Sequence, residues 1–274
     1  MGWRLLSHRR IGELLERHGL SPSRALGQNF VADPNTVRRI ARLAEVGEGD
    51  AVVEIGAGLG SLTLALAETG AEVTAIEVDR YLVPVLREQV EGAGVRVVEG
   101  DARALDWGRV LSGRDHWVLV ANLPYNVATP LVLDLLDSVP QIHRMLVMVQ
   151  REAGERLVAG PGDDAYGIPS VKVAYHAEAE IVGHVPPTVF VPQPRVDSVL
   201  VQIVRRPRPA VDADPELLFS LVRQAFGQRR KMLRRSLAGQ VPAEAFVRAG
   251  IDPAARPEQL DIEAWARLVR ALTS

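Results

Sequence analysis

The chain has 274 residues, of which 47% are hydrophobic and 24% charged, a composition typical of folded globular domains. No apolar run approaches the roughly 20 residues that cross a bilayer, so we expect a cytoplasmic protein without a membrane segment. The absence of cysteine excludes disulfides, thiolate catalysis and sulfur-ligated metals, and the six histidines show no metal-ligand spacing, so no metal is expected.

Charge is unevenly distributed along the chain, although the net charge is only -2. Residues 1–42 carry a net charge of +5, residues 43–194 of −12 and residues 195–237 of +6. Two basic segments around an acidic middle favour a face that binds a polyanion. A mixed, solvated surface would give the same counts, so charge alone leaves both interpretations open.

Hydrophobic periodicity predicts alternating helices and strands over the first 150 residues. In chain order, the predicted helices are 1–20, 33–44, 61–69, 80–91 and 130–137, and the predicted strands are 51–55, 71–77, 95–99, 117–121 and 145–150. Asp33 and Pro34 give the second helix a capping residue and a proline in its first turn. Strands that alternate with helices predict an α/β fold with a parallel, doubly wound sheet.

The pattern changes after about residue 185, where prolines separate short β-prone runs such as Ser198–Val204. From Pro215 onward the pattern is helical. The predicted helices there are 215–226, 229–238, 242–249 and 261–272. We therefore predict two domains, an α/β domain over residues 1–208 and a small helical domain over residues 209–274.

A glycine-rich turn, Gly56-Ala57-Gly58-Leu59-Gly60, follows the strand 51–55 and precedes a helix. Small residues there let the backbone approach a nucleoside-like ligand at the carboxyl edge of the sheet. The dinucleotide fingerprint has its third glycine one position later. Glu77 ends the next strand, where it can accept both ribose hydroxyl protons, and Asp101 ends the third, where it can accept from an adenine amino group. Either carboxylate could instead cap a helix, but the three strand ends together point to S-adenosylmethionine. Glu54, just before the turn, is expected to bind backbone amides or the charged end of this donor.

The carboxyl end of the strand 117–121 carries Asn122, Leu123, Pro124 and Tyr125, a set suited to a planar ring with an amino group. An adenine amino nitrogen is a weak nucleophile because its lone pair is delocalised into the ring. The Asn122 side-chain oxygen and a carbonyl at one of the next two positions can accept its two hydrogens and localise that lone pair. Tyr125 can stack on the base, which contributes roughly 1–3 kcal/mol. A structural Asn-x-Pro turn at a strand end is the alternative.

Longer motifs resemble those of the KsgA-type small-subunit rRNA adenine dimethyltransferases over nearly the whole chain. The matching segments are Leu26–Phe30, Glu54–Gly60, Asn122–Tyr125, Gln150–Ala153, Phe190–Ser198 and Ala225–Leu233. The resemblance implies a Rossmann-like S-adenosylmethionine-dependent methyltransferase domain with a small helical C-terminal domain. It implies dimethylation of two adjacent adenines in the 3′-terminal hairpin of 16S rRNA, linked to maturation of the small ribosomal subunit. We expect a monomer whose partner is 16S rRNA or the small-subunit precursor.

The resemblance also implies that Asn29 and Val31 line the donor pocket. The predicted donor-binding set is then Asn29, Val31, Gly56, Gly58, Glu77, Asp101, Ala102 and Asn122. The predicted catalytic set is Asn122, Pro124, Tyr125 and Phe190. Phe190 lies in a proline-rich loop, where it could close the second face of the base or simply pack in the core. The predicted RNA-binding set is Arg229, Arg230, Lys231 and Arg234, with Arg235 and the N-terminal arginines on the same basic face. One segment, Ile168-Pro169-Ser170, departs from the family pattern of a basic residue followed by Leu-Ser, which leaves the contacts of this loop open.

Three other functions are weighed against this one. The enzymes that methylate large-subunit rRNA and confer macrolide resistance share the fold and most motifs, but Leu123 and the run 228–231 favour the small-subunit type. A non-catalytic RNA-binding assembly factor is opposed by the intact Asn122, Pro124 and Tyr125. A nicotinamide dehydrogenase is opposed by the glycine spacing and by the same strand end.

Overall fold

A computed structural model describes residues 5–273 of the chain. The chain forms two compact units. The sheet unit comprises the residues up to Gly154 and Glu180–Val204, and the helical unit comprises Glu155–Ala179 and the residues from Arg205 onward. The chain enters the helical unit for the second time after residue 204, close to the domain boundary predicted at residue 208. The segment 155–179 differs from the prediction, because it belongs to the helical unit although the sequence assigned it to the first domain.

The described residues form nine strands. In chain order these are β1 Phe30–Val31, β2 Ala51–Ile55, β3 Glu72–Glu77, β4 Arg96–Glu99, β5 Trp117–Asn122, β6 Ile142–Gln150, β7 Ala177–Val185, β8 Phe190–Val191 and β9 Ser198–Arg205. The α-helices are α1 His8–Arg17, α2 Pro34–Leu43, α3 Ser61–Ala67, α4 Leu82–Gln89, α5 Trp107–Val110, α6 Ala128–Ser138, α7 Arg151–Val158, α8 Ile168–His176, α9 Pro215–Phe226, α10 Leu233–Ser236, α11 Ala243–Ala249 and α12 Ile262–Thr273.

The main sheet has the strand order β4-β3-β2-β5-β6-β9-β7. Neighbouring strands from β4 to β6 are parallel, which confirms the predicted α/β fold with a doubly wound parallel sheet. β9 runs antiparallel to β6, with Met145 opposite Ile203. Every residue of β2 is buried, as expected for a central strand covered on both faces. The glycine turn therefore leaves the sheet from its most buried strand.

Local sequence explains where two of the helices begin. Asp33 precedes α2, and its carboxylate accepts from the Thr36 amide at 2.9 Å, as a capping residue does. Asp214 precedes α9 and accepts from the Glu216 amide at 2.9 Å, with Pro215 in the first turn. Both helices thus start where the sequence predicted.

A small two-stranded sheet joins two distant parts of the sheet unit. β1 and β8 are antiparallel, so that Phe30 lies opposite Val191 and Val31 lies opposite Phe190. This pairing fixes the segment that enters α2 against the proline-rich loop that precedes β9.

The helical unit has its own apolar core. Trp265, Phe246 and Leu218 are buried there, together with Tyr166 and Tyr175 from the segment 155–179. These two tyrosines give the physical reason for the difference in domain boundary, since their apolar surface packs with the C-terminal helices.

Two predictions in the helical unit are wrong. The predicted helix 229–238 is reduced to α10, because the Leu233 and Arg234 amides donate to the Ala255 and Pro253 carbonyls at 2.8 and 3.0 Å. The segment 168–170, described above as a loop, is instead the start of α8.

Proline does not prevent α8, because it lies in the first turn, where its missing N–H has no helical partner. Ser170 accepts from the Gly167 amide at 3.1 Å and donates to the Arg156 carbonyl at 2.6 Å. It is 2% exposed, so its hydroxyl serves the local structure of the helical unit.

Candidate active site

A pocket opens in the sheet unit at the carboxyl ends of β2, β3 and β5, which is where open α/β sheets bind ligands. The predicted residues that line it are Asn29, Val31, Gly56, Gly58, Glu77, Asn122, Pro124 and Tyr125. It is also lined by residues outside the predicted sets, including Leu26, Gln28, Phe30, Glu54, Ser61, Leu62 and Val78. Two of these had a signal in the sequence. Glu54 was expected at the charged end of the donor, and Val78 is a hydrophobic residue directly after a strand-end carboxylate; the structure leaves Val78 48% exposed.

The glycine turn forms one wall of this pocket. Gly58 has φ +58°, a left-handed conformation that L side chains rarely adopt, and an added Cβ would lie 3.0 Å from the Phe30 ring. Its amide donates to the Glu77 carboxylate at 2.7 Å. Glycine is therefore required here both by backbone conformation and by the close approach of Phe30.

Glu77 is the buried carboxylate at the end of β3. It is 4% exposed, and each of its oxygens accepts one backbone amide, from Gly58 at 2.7 Å and from Asp79 at 2.9 Å. Burial raises the pKa of Glu77, and the two amide bonds oppose that shift. Because each carboxylate oxygen has two lone pairs, one position on each oxygen stays available to a ligand hydroxyl.

Glu54 is a second buried carboxyl beneath the same turn. It is 2% exposed, and burial raises its pKa to about 8, with the charge of Glu77 acting in the same direction. Its Oε2 and the Ser61 hydroxyl, both in the pocket lining, have no hydrogen-bond partner within residues 5–273. Unsatisfied buried polar atoms are rare in folded proteins, so these two atoms indicate a polar ligand.

Asp101 and Ala102 line a second pocket, which shares Gly56, Val78 and Pro124 with the first. The Asp101 side chain is 39% exposed and lies 2.9 Å from the Arg103 guanidinium. The hydrogen bond from Arg103 lowers the pKa of Asp101. Asp101 is thus a partly exposed, ionised acceptor, in contrast to the buried Glu77.

Asn122 is held in one orientation. Its Nδ2 donates to the Asn29 carbonyl at 2.9 Å, and the Asn29 side chain donates in turn to the Gly27 carbonyl at 3.1 Å. Its Oδ1 makes no hydrogen bond with any residue that the structure describes. The arrangement leaves one fixed acceptor at the end of β5, in the lining of the pocket.

Tyr125 and Phe190 differ in their surroundings. The Tyr125 hydroxyl shares a hydrogen bond of 2.9 Å with the buried Ser198, and burial raises the pKa of Tyr125. Phe190 is 2% exposed, lies opposite Val31 in the two-stranded sheet and belongs to the core of the sheet unit. It is not among the residues that line either pocket described above. This position favours packing over contact with a base.

The predicted RNA-binding cations lie in the helical unit, in a segment that we call the basic turn, Gln228–Arg235. Arg229 donates to the Asp164 carbonyl at 2.9 Å and lies 4.0 Å from Glu258. The other cations of this segment are exposed, and their side chains make no hydrogen bond or ion pair within the described part of the chain. They are Arg230, Lys231, Arg234 and Arg235. Four of the five cations are therefore available to a partner.

Two negative findings concern residues 5–273. No cluster of three or more His, Asp or Glu side chains has the arrangement of a metal site there. None of the helices in that range combines the length and the hydropathy that a bilayer crossing requires.

The architecture and the pocket together define a Rossmann-like methyltransferase. The crystal structure of the 23S rRNA methyltransferase ErmE superposes with a TM-score of 0.69 at 27% identity, over 89% of this chain and 100% of that one. The crystal structure of a dimethyladenosine transferase from Plasmodium falciparum gives a TM-score of 0.74 at 24% identity, over 86% and 94%, and supports the fold. More particularly, the chain belongs to the ribosomal RNA adenine dimethylase family, whose model matches residues 20–274.

Two bacterial relatives are similar to this chain over nearly its whole length. The chain is 51% identical to the ribosomal RNA small subunit methyltransferase A of Cutibacterium acnes, over 98% of this chain and 94% of that protein. It is 47% identical to the protein of the same name from Streptomyces coelicolor, over 96% of each. These matches confirm the family that the sequence motifs indicated.

Proposed function

We propose that this chain uses S-adenosylmethionine to dimethylate the N6 amino groups of two adjacent adenines in the 3′-terminal hairpin of 16S rRNA. Its family and the names of its relatives support an rRNA adenine dimethyltransferase of the small-subunit type. A role in small-subunit biogenesis, a cytoplasmic location and a monomeric state are parts of the same proposal.

One observation carries the catalytic part of this proposal, namely the fixed amide of Asn122. Since Nδ2 is held by the Asn29 carbonyl, Oδ1 is free to accept an N–H from an adenine amino group. Together with a carbonyl at Leu123 or Pro124, it draws the nitrogen toward tetrahedral geometry and localises the lone pair. No strong base is required, because the amino proton can leave to water or to a backbone carbonyl after transfer.

The residues of the pocket fit the donor. S-adenosylmethionine supplies a methyl group that its sulfonium has already activated. Glu77 offers a free acceptor position on each oxygen for the ribose hydroxyls, and Asp101 offers one for the adenine amino group. The unsatisfied atoms of Glu54 and Ser61 suit the amino and carboxylate groups at the amino-acid end of S-adenosylmethionine. Asn29 and Val31 complete this set, and positioning then supplies most of the rate.

Tyr125 supplies the apolar face for the acceptor base. Tyr125 and Asn122 line the same pocket, and the hydrogen bond to Ser198 restricts the Tyr125 hydroxyl. A base stacked on it gains roughly 1–3 kcal/mol. Pro124 keeps the segment acceptor-rich, because proline has no N–H. The basic turn is proposed to bind RNA phosphates outside this pocket.

The decisive experiment supplies tritiated donor and unmethylated small subunits to the protein and maps the labelled nucleotides. We expect the label in two adjacent adenines near the 3′ end of 16S rRNA. Label confined to large-subunit rRNA would instead support the activity named for ErmE. If neither RNA is labelled while the protein binds small subunits, it is a non-catalytic assembly factor and the proposal fails.

A further inference from the structure

The turn Arg24–Gly27 lies at the acceptor end of the pocket. Its last two residues line the pocket, and a Cβ added to Gly27 would lie 3.2 Å from the Pro124 Cβ. Gln28 anchors the turn through its side-chain amide. The amide oxygen accepts from the Ser23 backbone N–H at 2.7 Å, and the amide nitrogen donates to the Asp79 carboxylate at 2.8 Å. The backbone that carries Arg24 is therefore held beside the acceptor segment.

The loop 192–197 is fixed at the same pocket from both of its ends. At its start, Val191 pairs with Phe30, a residue of the pocket lining. At its end, Ser198 shares the hydrogen bond of 2.9 Å with Tyr125. Two separate loops thus meet the segment that is proposed to hold the acceptor base.

Each loop presents one exposed arginine and one partly exposed aliphatic side chain. Leu26 and Val196 are each 36% exposed. Arg24 and Arg195 are exposed, and their guanidinium groups make no hydrogen bond or ion pair with any residue that the structure describes. Many other arginines of the sheet unit have partners, as does Arg17, which lies 3.5 Å from a glutamate.

The chemistry of the proposed substrate gives such side chains a use. An adenine within an RNA strand reaches a pocket only after it leaves the base stack, which brings the phosphates on its two sides to the mouth. Unpaired guanidinium groups suit those phosphates, and aliphatic side chains suit the faces of neighbouring bases. Because Asp197 offsets the charge of Arg195, the loop 192–197 has no net charge. Phosphate binding at this loop would therefore depend on direct contact with the Arg195 guanidinium.

We infer that Arg24 and Arg195 bind the phosphates that flank the target adenine, while Leu26 and Val196 pack against the neighbouring bases. The inference rests on the proposed function and adds the form in which the RNA is held. The strand at the pocket mouth is unpaired and splayed, and these four side chains grip it independently of the basic turn.

The test compares two double variants with equal loss of charge. Arg24→Ala/Arg195→Ala removes the proposed contacts, and Arg87→Ala/Arg109→Ala removes two exposed arginines that line neither the first nor the second pocket. Methylation of unmethylated small subunits is measured at several salt concentrations, with S-adenosylmethionine affinity and thermal unfolding as controls for the pocket and the fold.

For Arg24→Ala/Arg195→Ala we expect a KM for small subunits about tenfold higher, since two net hydrogen bonds are lost. The slope of log KM against log salt should fall by about 1.4, from ~0.7 for each contact to a single strand. The control variant Arg87→Ala/Arg109→Ala should have the KM and the salt slope of the wild type. Arg24→Lys/Arg195→Lys should restore most of the salt slope, because it restores the charge.

Two outcomes separate this inference from the proposed function. If both double variants have the same KM and salt slope, the flanking-phosphate contacts do not exist and the inference is overturned. If the wild-type protein itself transfers no methyl group to small-subunit rRNA, the proposed function is overturned first. A lysine pair that fails to restore the slope would also count against phosphate binding by these two positions.

Discussion

In the pocket of the sheet unit, Glu77 and Asn122 make hydrogen bonds of 2.7 to 2.9 Å with backbone groups, whereas most cations of the basic turn make no side-chain hydrogen bond or ion pair within residues 5–273. The first arrangement fixes direction, because burial and backbone hydrogen bonds leave each side chain one orientation. The second supplies charge without direction, which suits a phosphate backbone whose exact position varies. The two regions should therefore respond differently to the loss of a single side chain.

The largest effect is expected for Asn122→Ala, which removes a preorganised acceptor. Turnover should fall by about two orders of magnitude, by analogy with the loss of one oriented polar group from an active site. Single-turnover methylation of small subunits measures this, with donor affinity determined separately. Asn126→Ala is the matched control, because Asn126 is an exposed asparagine of the same segment and should leave turnover unchanged. Near wild-type turnover of Asn122→Ala would remove Asn122 from the mechanism.

Glu54 should make the folding stability of the chain depend on pH. Its pKa is about 8 in the folded chain, well above the ordinary value of 4.5 for a glutamate carboxyl. Between these values the folded state keeps a proton that the unfolded state releases, so stability falls as pH rises, by up to about 1.4 kcal/mol for each pH unit. In Glu54→Gln the loss of folding stability between pH 5.5 and 7.5, roughly 2–3 kcal/mol in the wild type, should largely disappear.

Urea unfolding at the two pH values measures this dependence. Glu99→Gln removes an exposed carboxylate at the end of the neighbouring strand β4 and serves as the control. The same pH dependence in Glu54→Gln and in the wild type would mean that Glu54 is ionised in the folded protein.

A smaller effect separates the two strand-end carboxylates. Glu77→Gln should weaken S-adenosylmethionine binding about tenfold, because a charge-assisted bond contributes about 1.5 kcal/mol or more. Asp101→Asn should cost less, because Asp101 is partly exposed and already bound by Arg103. Calorimetry of the isolated protein with the donor tests both variants. Equal losses would contradict the view that burial makes Glu77 the stronger ligand.

The smallest effects should divide the basic turn itself. Arg229→Ala loses a bond to the Asp164 carbonyl, so unfolding free energy should fall by about 0.5–1 kcal/mol while the salt dependence of subunit binding stays nearly constant. Arg230→Ala should do the opposite, with unchanged stability and a salt slope lower by about 0.7–0.9. Thermal unfolding and binding at several salt concentrations distinguish the two variants. The reverse pattern would show that Arg229 binds RNA.

Sequence predicted best where local rules and tertiary structure agree. The parallel strands appear in the sequence as apolar runs followed by small or polar residues. Both the sheet and the positions of Gly56, Glu77 and Asn122 in the pocket lining could therefore be predicted. Asp33 and Asp214 likewise mark helix starts through their own backbone contacts.

Prediction failed where distant contacts decide. Nothing local shows that the Leu233 amide bonds to Ala255, which delays the start of α10. Phe190 could not be assigned because its environment depends on pairing with Val31, which is distant in sequence. The segment Ile168-Pro169-Ser170 was expected to be a loop, yet it begins α8, because a helix accepts proline in its first turn.

The path of the chain between the two units has a consequence for synthesis. Residues 155–179 of the helical unit are synthesised before the last strand of the sheet, β9. The rest of the helical unit is synthesised only after residue 204. On a nascent chain, the apolar side chains of Tyr166 and Tyr175 would therefore emerge well before Trp265, with which they share a core. A protein truncated at residue 208 would keep every strand of the sheet yet leave that surface exposed, so the first segment of the helical unit would become an aggregation site.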